Sequence, residues 1–135
     1  MKRLSILFIL TILVVGCQSK AVTGETVSTA DGSYQNITPT ELHSILKNKD
    51  FAFINVHIPF AGNIPDTDLS IPYNEIQQNL SQLPKDKDVK IVLYCSSGRM
   101  SQIAAEELLS LGYSNVWNLQ GGMVNWQQAG FELDK

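Results

Sequence analysis

The chain has few of the residues that build metal centres, disulfide frameworks or nucleic-acid interfaces. Its 135 residues include two cysteines and two histidines. The 13 acidic side chains outnumber the 10 basic ones, which gives a formal net charge of -3. A domain that binds phosphate backbones carries a basic excess, so we predict no nucleic-acid partner. Two scattered histidines indicate no metal site, and we predict no cofactor.

Apolar runs long enough for a comfortable membrane span are lacking as well. The longest apolar run, Leu4 to Val15, follows the basic residues Lys2 and Arg3 and has the length of a signal-peptide core. It leads into V-V-G-C, which resembles a bacterial lipobox. The resemblance implies that residues 1–16 are a lipoprotein signal peptide and that Cys17 is acylated. The domain would then lie in the cell envelope, outside the cytoplasmic membrane, on a lipid anchor. The alternative is an uncleaved anchor helix.

The segment after the predicted lipid cysteine has no apolar periodicity. From Gln18 to Asn36 it is rich in Ser, Thr and Gly. We therefore predict that residues 17–36 form a lipidated, flexible tether, with a root-mean-square reach of roughly 25 Å. The folded domain is predicted to span residues 37–135.

In this domain, helical patterns alternate with strand patterns. Thr38 is a predicted N-cap, Pro39 occupies the first helical position, and Glu41 reaches back to the cap. Alternating strands and helices predict an α/β fold with a parallel sheet covered on both faces. The predicted strands are 51–57, 69–73, 89–94 and 116–120, and the predicted helices are 39–47, 74–83, 101–111 and 121–129.

A cysteine stands between a predicted central strand and the helix that follows it. Acylation of Cys17 would leave Cys95 as the free thiol, in the stretch C-S-S-G-R-M-S. The carboxyl edge of an open α/β sheet is where ligands bind. Gly98 permits a turn that directs backbone N–H groups into one cradle, and the helix dipole and Arg99 add positive charge. These residue types indicate a nucleophilic thiolate that binds an anionic substrate. The alternative is a buried, inert cysteine.

The same stretch resembles the active-site loop of single-domain rhodaneses, which has the form C-x-x-G-R-x-S. I-T-P-T-E-L resembles the start of that family's domain. F-I-N-V-H occupies the position of the strand that in the family ends in Asp-Val-Arg. V-W-N-L-Q-G-G-M-V-N-W-Q-Q-A-G-F resembles its C-terminal pattern. These signatures occur in order from Ile37 to Phe131. The resemblance implies a rhodanese-like sheet of about five mostly parallel strands with helices on both faces.

The resemblance also implies sulfur transfer through a persulfide on Cys95. The donor would be thiosulfate or a persulfide, and the acceptor a small thiol, cyanide or a thiol-bearing protein. The alternative to a substrate-binding role for Arg99 is that it is an ordinary surface arginine. The alternative to a persulfide-binding role for Ser101 is that it caps the helix. The implied persulfide cradle comprises Ser96, Ser97, Gly98, Arg99, Met100 and Ser101.

Two residues depart from the family pattern near this site. Asn55 and His57 stand where the family usually has Asp and Arg, and the loop that follows is shorter than usual. We place both residues at the rim of the pocket. We assign His43 to a solvated helix face, Trp117 and Trp126 to the core, and Asp66 and Asp68 to turns.

Two other functions are alternatives to sulfur transfer. Phosphatases and arsenate reductases of this fold have the arginine six positions after the cysteine. Here the sixth position is Ser101 and Arg99 is at the fourth, so the shorter loop suits a sulfur atom better than phosphate. The remaining alternative is a non-catalytic, lipid-tethered binding or sulfur-carrier module. Degenerate members of the family usually lose the cysteine, so its presence favours chemistry.

Overall fold

The structure is a computed structural model that describes residues 21–134. The predicted signal peptide, Cys17 and the first tether residues lie outside this part. The described elements are β1 Glu25–Thr29, β2 Gly32–Ile37, α1 Pro39–Leu46, β3 Ala52–Asn55, β4 Leu69–Ser70, a 3-10 helix Gln77–Gln82, β5 Ile91–Tyr94, α2 Arg99–Ser110, β6 Val116–Leu119 and α3 Gly122–Gln128. No helix within residues 21–134 has the length and apolar character needed to cross a membrane.

The strands form one mixed sheet in the order β1-β2-β6-β5-β3-β4. The five strands from β2 to β4 in this order are parallel, and only the edge strand β1 runs antiparallel to its neighbour. This arrangement confirms the predicted α/β fold with a mostly parallel sheet. It also places β5, with Cys95 directly after it, in the interior of the sheet.

Two apolar clusters cover the two faces of the sheet. On one face, Ala104 and Leu108 of α2 pack against β5 and β6. On the other face, Leu42 of α1 packs in one cluster with Trp126 of α3. Every residue of β5 and β6 is buried, as expected for strands with helices on both sides. Trp117 and Trp126 lie in the core, as predicted.

The start of α1 confirms the predicted cap. The backbone N–H of Glu41 donates to Thr38 Oγ1 at 3.3 Å, and the N–H of Thr38 donates to Glu41 Oε2 at 2.9 Å. Pro39 stands at the first helical position, where it has no hydrogen bond to lose. The capping box therefore fixes where the chain leaves β2 and enters α1.

The prediction of a flexible tether is wrong for residues 25–36, which form the β1–β2 hairpin. β2 pairs with β6 in parallel, and its Tyr34 and Ile37 are buried. The two strands are mostly polar, and their apolar residues Val27, Tyr34 and Ile37 show no regular alternation, so the segment resembles a polar coil in composition. The missed signal was Asp31 followed by Gly32, a common hairpin turn pair. The folded unit begins earlier than predicted.

The predicted helix over 74–83 is also wrong. A 3-10 helix spans only Gln77–Gln82, and Asn79 within it has non-helical dihedral angles. Ile76 and Leu83 are buried, but Leu80 is 39% exposed. The Asn79 side chain donates to Glu75 O at 2.8 Å, so it competes with the regular helical bonding of this segment. The predicted turn residue Asp66 has a positive φ of 67°.

Candidate active site

Cys95 lies at the carboxyl edge of the sheet, between β5 and α2. Its side chain is only 1% exposed and belongs to the apolar cluster under α2. The neighbouring strands β3 and β6 end at the same edge, because all three strands are parallel. The predicted placement of the cysteine between a central strand and a helix is therefore observed.

The sulfur atom contacts its own loop. The backbone N–H of Gly98 donates to Cys95 Sγ at 3.0 Å, and Ser101 Oγ lies 3.4 Å from the same atom. Ser101 is fully buried, and its hydroxyl donates to Gly98 O at 3.0 Å. No side chain caps the start of α2. Ser101 thus contacts the sulfur and does not cap the helix.

Several backbone N–H groups of the loop that holds this sulfur lack acceptors among the described residues. Within residues 21–134, five loop N–H groups donate to no backbone or side-chain acceptor: those of Ser96, Ser97, Arg99, Met100 and Ser101. Three of them belong to the first turn of α2, where the helix dipole is positive. Unsatisfied N–H groups at a helix N-terminus are a site for an anion.

The start of α3 fixes the orientation of this loop. The N–H of Met123 donates to Cys95 O at 2.9 Å, and the N–H of Val124 donates to Ser96 O at 3.0 Å. In a trans peptide the carbonyl and the following N–H point in opposite directions. The N–H groups of Ser96 and Ser97 therefore point away from α3.

Two glycines before α3 make this contact possible. A Cβ on Gly122 would lie 2.3 Å from Cys95 O, and Gly122 has a φ of +58°. Gly121 has a φ of +75°, and a Cβ there would overlap the Asn125 side chain. On the other side, Gly98 has a φ of +105°, which the tight loop requires. The sequence reasoning missed Gly121 and Gly122 as site residues; their position directly after a buried strand was the available signal.

The remaining cradle residues differ in exposure. Arg99 and Ser97 are exposed at the start of α2, whereas Met100 packs its side chain against the core. Within the described residues, Arg99 takes part in no ion pair; the salt bridge there joins Lys49 and Asp68. The guanidinium of Arg99 is therefore the positively charged side chain that the loop offers to an incoming anion.

Asn55 ends β3, next to Tyr94 of β5, and His57 lies two residues later. Asn55 is 1% exposed, and its side-chain amide donates to Gly62 O at 3.0 Å and to Asn63 Oδ1 at 2.9 Å. Its Oδ1 accepts the backbone N–H of His57 at 3.0 Å. Asn55 thus ties the β3–β4 loop (residues 56–68) to the sheet. An aspartate carboxylate could not make the two donations.

Tyr94 anchors the same loop from β5, a role that sequence reasoning missed. Its hydroxyl accepts the N–H of Ile64 at 3.0 Å, lies 2.7 Å from Thr67 Oγ1, and donates to Asn63 Oδ1 at 3.2 Å. Burial raises the pKa of Tyr94 above its ordinary value, and the hydrogen bond with Thr67 opposes that rise. The hydroxyl therefore stays protonated at neutral pH and remains a donor.

The other histidine considered as a candidate, His43, lies away from the cysteine. His43 is exposed on α1 and stacks on Phe131, with ring centroids 4.2 Å apart. A cavity of about 360 Å³ is lined by His43 and Trp126, among others, and includes no residue of the cysteine loop. Between residues 21 and 134, no cluster of three or more His, Cys, Asp or Glu side chains could hold a metal ion.

In a comparison with known protein families, residues 38–129 match the model of the rhodanese-like domain. A sulfurtransferase from Allochromatium vinosum is 36% identical over 88 residues, which cover 63% of this chain and 79% of that protein. A rhodanese-like domain protein from Staphylococcus aureus is 29% identical with a TM-score of 0.61, covering 74% of this chain and 98% of that one. A thiosulfate sulfurtransferase from Pseudomonas aeruginosa is 27% identical, with a TM-score of 0.64 over 74% of this chain.

Several of these relatives are longer than the chain. It covers 20% of the Pseudomonas aeruginosa protein, and 60% and 31% of two further curated relatives. The similarity therefore concerns one domain of those proteins.

The close approach of α3 leads to a prediction for Gly122→Ala. The added Cβ would meet Cys95 O, and alanine is strained at this positive φ, so we expect a loss of about 3 kcal/mol in unfolding free energy. Gly130→Ala is the matched control, because Gly130 also has a positive φ but nothing within 4 Å of a Cβ. That control should lose only about 1 kcal/mol. Urea unfolding measures both, and equal losses would contradict the proposed contact.

Proposed function

Because this chain belongs to the rhodanese-like domain family, we propose that it is a sulfurtransferase that carries sulfane sulfur on Cys95. One observation supports the proposal above the others. Within the described residues, the loop that holds the buried Cys95 sulfur has five N–H groups without acceptors, and a sixth, that of Gly98, donates to the sulfur. Such a cradle stabilises negative charge on the cysteine sulfur or on a second sulfur bonded to it.

In the first half-reaction, the Cys95 thiolate attacks the outer sulfur of the donor. With thiosulfate, a new S–S bond forms at Cys95, the donor S–S bond breaks, and sulfite leaves with the electron pair. The terminal sulfur of the resulting persulfide carries the negative charge. It lies further out than the buried Sγ and is stabilised by the N–H groups of the loop and of the first turn of α2.

In the second half-reaction, a thiophilic acceptor attacks the terminal sulfur. The S–S bond at Cys95 breaks, and its electron pair returns to Sγ, which accepts the N–H of Gly98 again. A small thiol, cyanide or a partner cysteine would fit this role. The proposal names the class of acceptor and leaves its identity to experiment.

Arg99 contributes to the binding of anionic donors. It is exposed at the first position of α2 and forms no ion pair within the described residues. A guanidinium in this position attracts a sulfur oxyanion and can donate two parallel hydrogen bonds to it. We propose that Arg99 binds the oxyanion end of a donor such as thiosulfate and stabilises the leaving sulfite.

A sulfur-carrier role is the second candidate, and the burial of the thiol favours it. With Cys95 only 1% exposed, a donor must approach a sulfur that lies largely below the surface. Slow loading from small molecules, followed by delivery to a partner protein, would make the chain a carrier. Both roles use the same persulfide, and turnover with free thiosulfate distinguishes them.

We further propose that the protein is attached to the outer side of the cytoplasmic membrane or to another envelope surface through Cys17. The support is the sequence alone: a short basic start, an apolar run and V-V-G-C. Cys17→Ser should release the protein from the membrane fraction of cells. Persistent anchoring of this variant would mean that the apolar run is not removed and that Cys17 is not the anchor.

The persulfide assignment predicts the behaviour of Cys95→Ser. The wild-type chain incubated with thiosulfate should gain the mass of one sulfur atom on the peptide containing Cys95, and cyanide should remove it. Cys95→Ser should show no gain, because a serine hydroxyl forms no persulfide. Thermal unfolding of the variant should be nearly unchanged. A gain that persists in Cys95→Ser would contradict the assignment.

The proposed role of Arg99 predicts a difference between donors. Arg99→Ala should lower kcat/KM for thiosulfate about tenfold, the value of a charge-assisted hydrogen bond. It should have little effect with an alkyl hydropersulfide, a donor without an oxyanion, whose terminal sulfur passes to Cys95 as the alkyl thiol leaves. Arg99→Lys should retain part of the activity with thiosulfate, since it keeps the charge. Equal losses with both donors would show that Arg99 is structural.

A further inference from the structure

The strand β1 leaves one edge of the sheet open. It is the outermost strand in the order β1-β2-β6-β5-β3-β4, and it pairs with β2 alone. Within residues 21–134, no hydrogen bond from another element reaches the backbone of β1 on the side away from β2. An exposed edge of this kind is a template for pairing with a further strand, and proteins usually protect it.

β1 carries none of the usual protections. Its five residues, E-T-V-S-T, include no lysine and no proline, and its pairing with β2 runs through all five positions without a bulge. Three of the five residues are exposed, and only Val27 and Thr29 are partly buried. The opposite edge of the sheet differs, because β4 is two residues long and offers little backbone to a partner.

The hairpin determines which backbone groups of β1 face outward. β1 and β2 are joined by a two-residue turn, and the pair that closes such a turn, here Thr29 and Gly32, is hydrogen-bonded. Bonded and non-bonded pairs alternate along an antiparallel ladder. The backbone groups of Val27 are therefore directed towards β2, whereas the N–H and C=O groups of Thr26 and Ser28 point away from the sheet.

These outward groups are complementary to those of a second β1. When two copies run antiparallel around a twofold axis at Val27, Thr26 of each copy lies opposite Ser28 of the other. Each such pair exchanges N–H···O bonds in both directions. This register satisfies the outward N–H and C=O groups of both strands, and a shift along the strand leaves some of them unpaired.

The side chains agree with the same register. The two Val27 residues would form a non-hydrogen-bonded pair, in which side chains lie closest. Val27 already packs against the apolar cluster under α2, so this pair would join the clusters of the two copies. The charged residue of β1, Glu25, would lie opposite Thr29 of the other copy and not opposite a second Glu25, so no like charges meet.

We propose that β1 is an interaction surface for a second copy of this chain, and that two copies pair antiparallel through it into one continuous sheet. Strand directions reverse from one copy to the other, so the two Cys95 loops lie at opposite edges of the joined sheet. Each loop stays clear of the partner. The proposal goes beyond sulfur transfer and does not depend on it.

Disulfide cross-linking of the full chain in cells tests the register. In Val27→Cys, the two introduced cysteines would have Cα atoms about 4.5 Å apart across the axis, within the range of a disulfide. Glu25→Cys is the matched control: residue 25 is more exposed than Val27, but its two copies would be about 14 Å apart. Both variants are oxidised with copper phenanthroline, and peptide masses identify the residues that are joined.

We expect Val27→Cys to give a dimer joined through residue 27, and Glu25→Cys to give at most about a tenth as much. Equal yields would overturn the inference, because random collisions join exposed residues without regard to register. The absence of a dimer joined through residue 27 would overturn it as well. Sulfur loading of Cys95 enters neither readout, so failure of this proposal and failure of the proposed function are distinguishable.

Two variants that differ at one residue test the pairing by charge. When added to Val27→Cys, Thr26→Lys with Ser28→Glu places opposite charges across the axis, whereas Thr26→Lys with Ser28→Lys places like charges there. Both replace the same two exposed residues, so β1 itself is changed alike. The first variant should cross-link as well as Val27→Cys alone, and the second should lose most of the product. Equal yields from the two would contradict the antiparallel pairing.

Discussion

Two hydrogen bonds between α3 and the cysteine loop determine the form of the site. The N–H groups of Met123 and Val124, which would otherwise lack acceptors at the start of α3, donate to the carbonyls of Cys95 and Ser96. Those carbonyls are thereby directed towards α3. The N–H groups of the same peptides point away from α3 and are left for an anion. The N–H groups of Met123 and Val124 at the start of α3 thus have acceptors in the loop. The N–H groups at the start of α2 have none and are available to an anion. Gly122 is required because any Cβ would separate the two elements.

The strand that bears the site and the caps around it could be predicted from sequence, because their signals are local. A buried apolar run indicates β5, and a strand-to-helix junction containing glycine indicates the cysteine loop. Thr38 and Glu41 form a capping box that depends on three-residue spacing alone. The β1–β2 hairpin could not be found this way. Its strands are short and mostly polar, and β2 is stabilised by its pairing with β6, about eighty positions later in the chain.

The hydrogen bonds that Asn55 and Tyr94 form with the β3–β4 loop could not be predicted from the sequence either. Asn55 and Tyr94 are far apart in sequence, and each reads as a strand residue. The fold brings them together at Asn63, where both form hydrogen bonds with the β3–β4 loop. A neutral amide at position 55 both donates and accepts, so it ties this loop down without an ion pair. The site is consequently less charged than a pattern with Asp and Arg would make it, and Arg99 supplies the positive side chain of the cysteine loop.

The central claim is that the free N–H groups of the loop hold a negative charge carried by sulfur on Cys95. The most direct measurement is a set of ¹H–¹⁵N NMR spectra of the chain before loading, after loading with sulfur, and after removal of the sulfur by cyanide. The amide protons of Ser96, Ser97, Arg99, Met100 and Ser101 should shift downfield together on loading and return on removal. Persulfide formation that leaves these five amides unshifted would contradict the claim, because the charge would then be stabilised elsewhere.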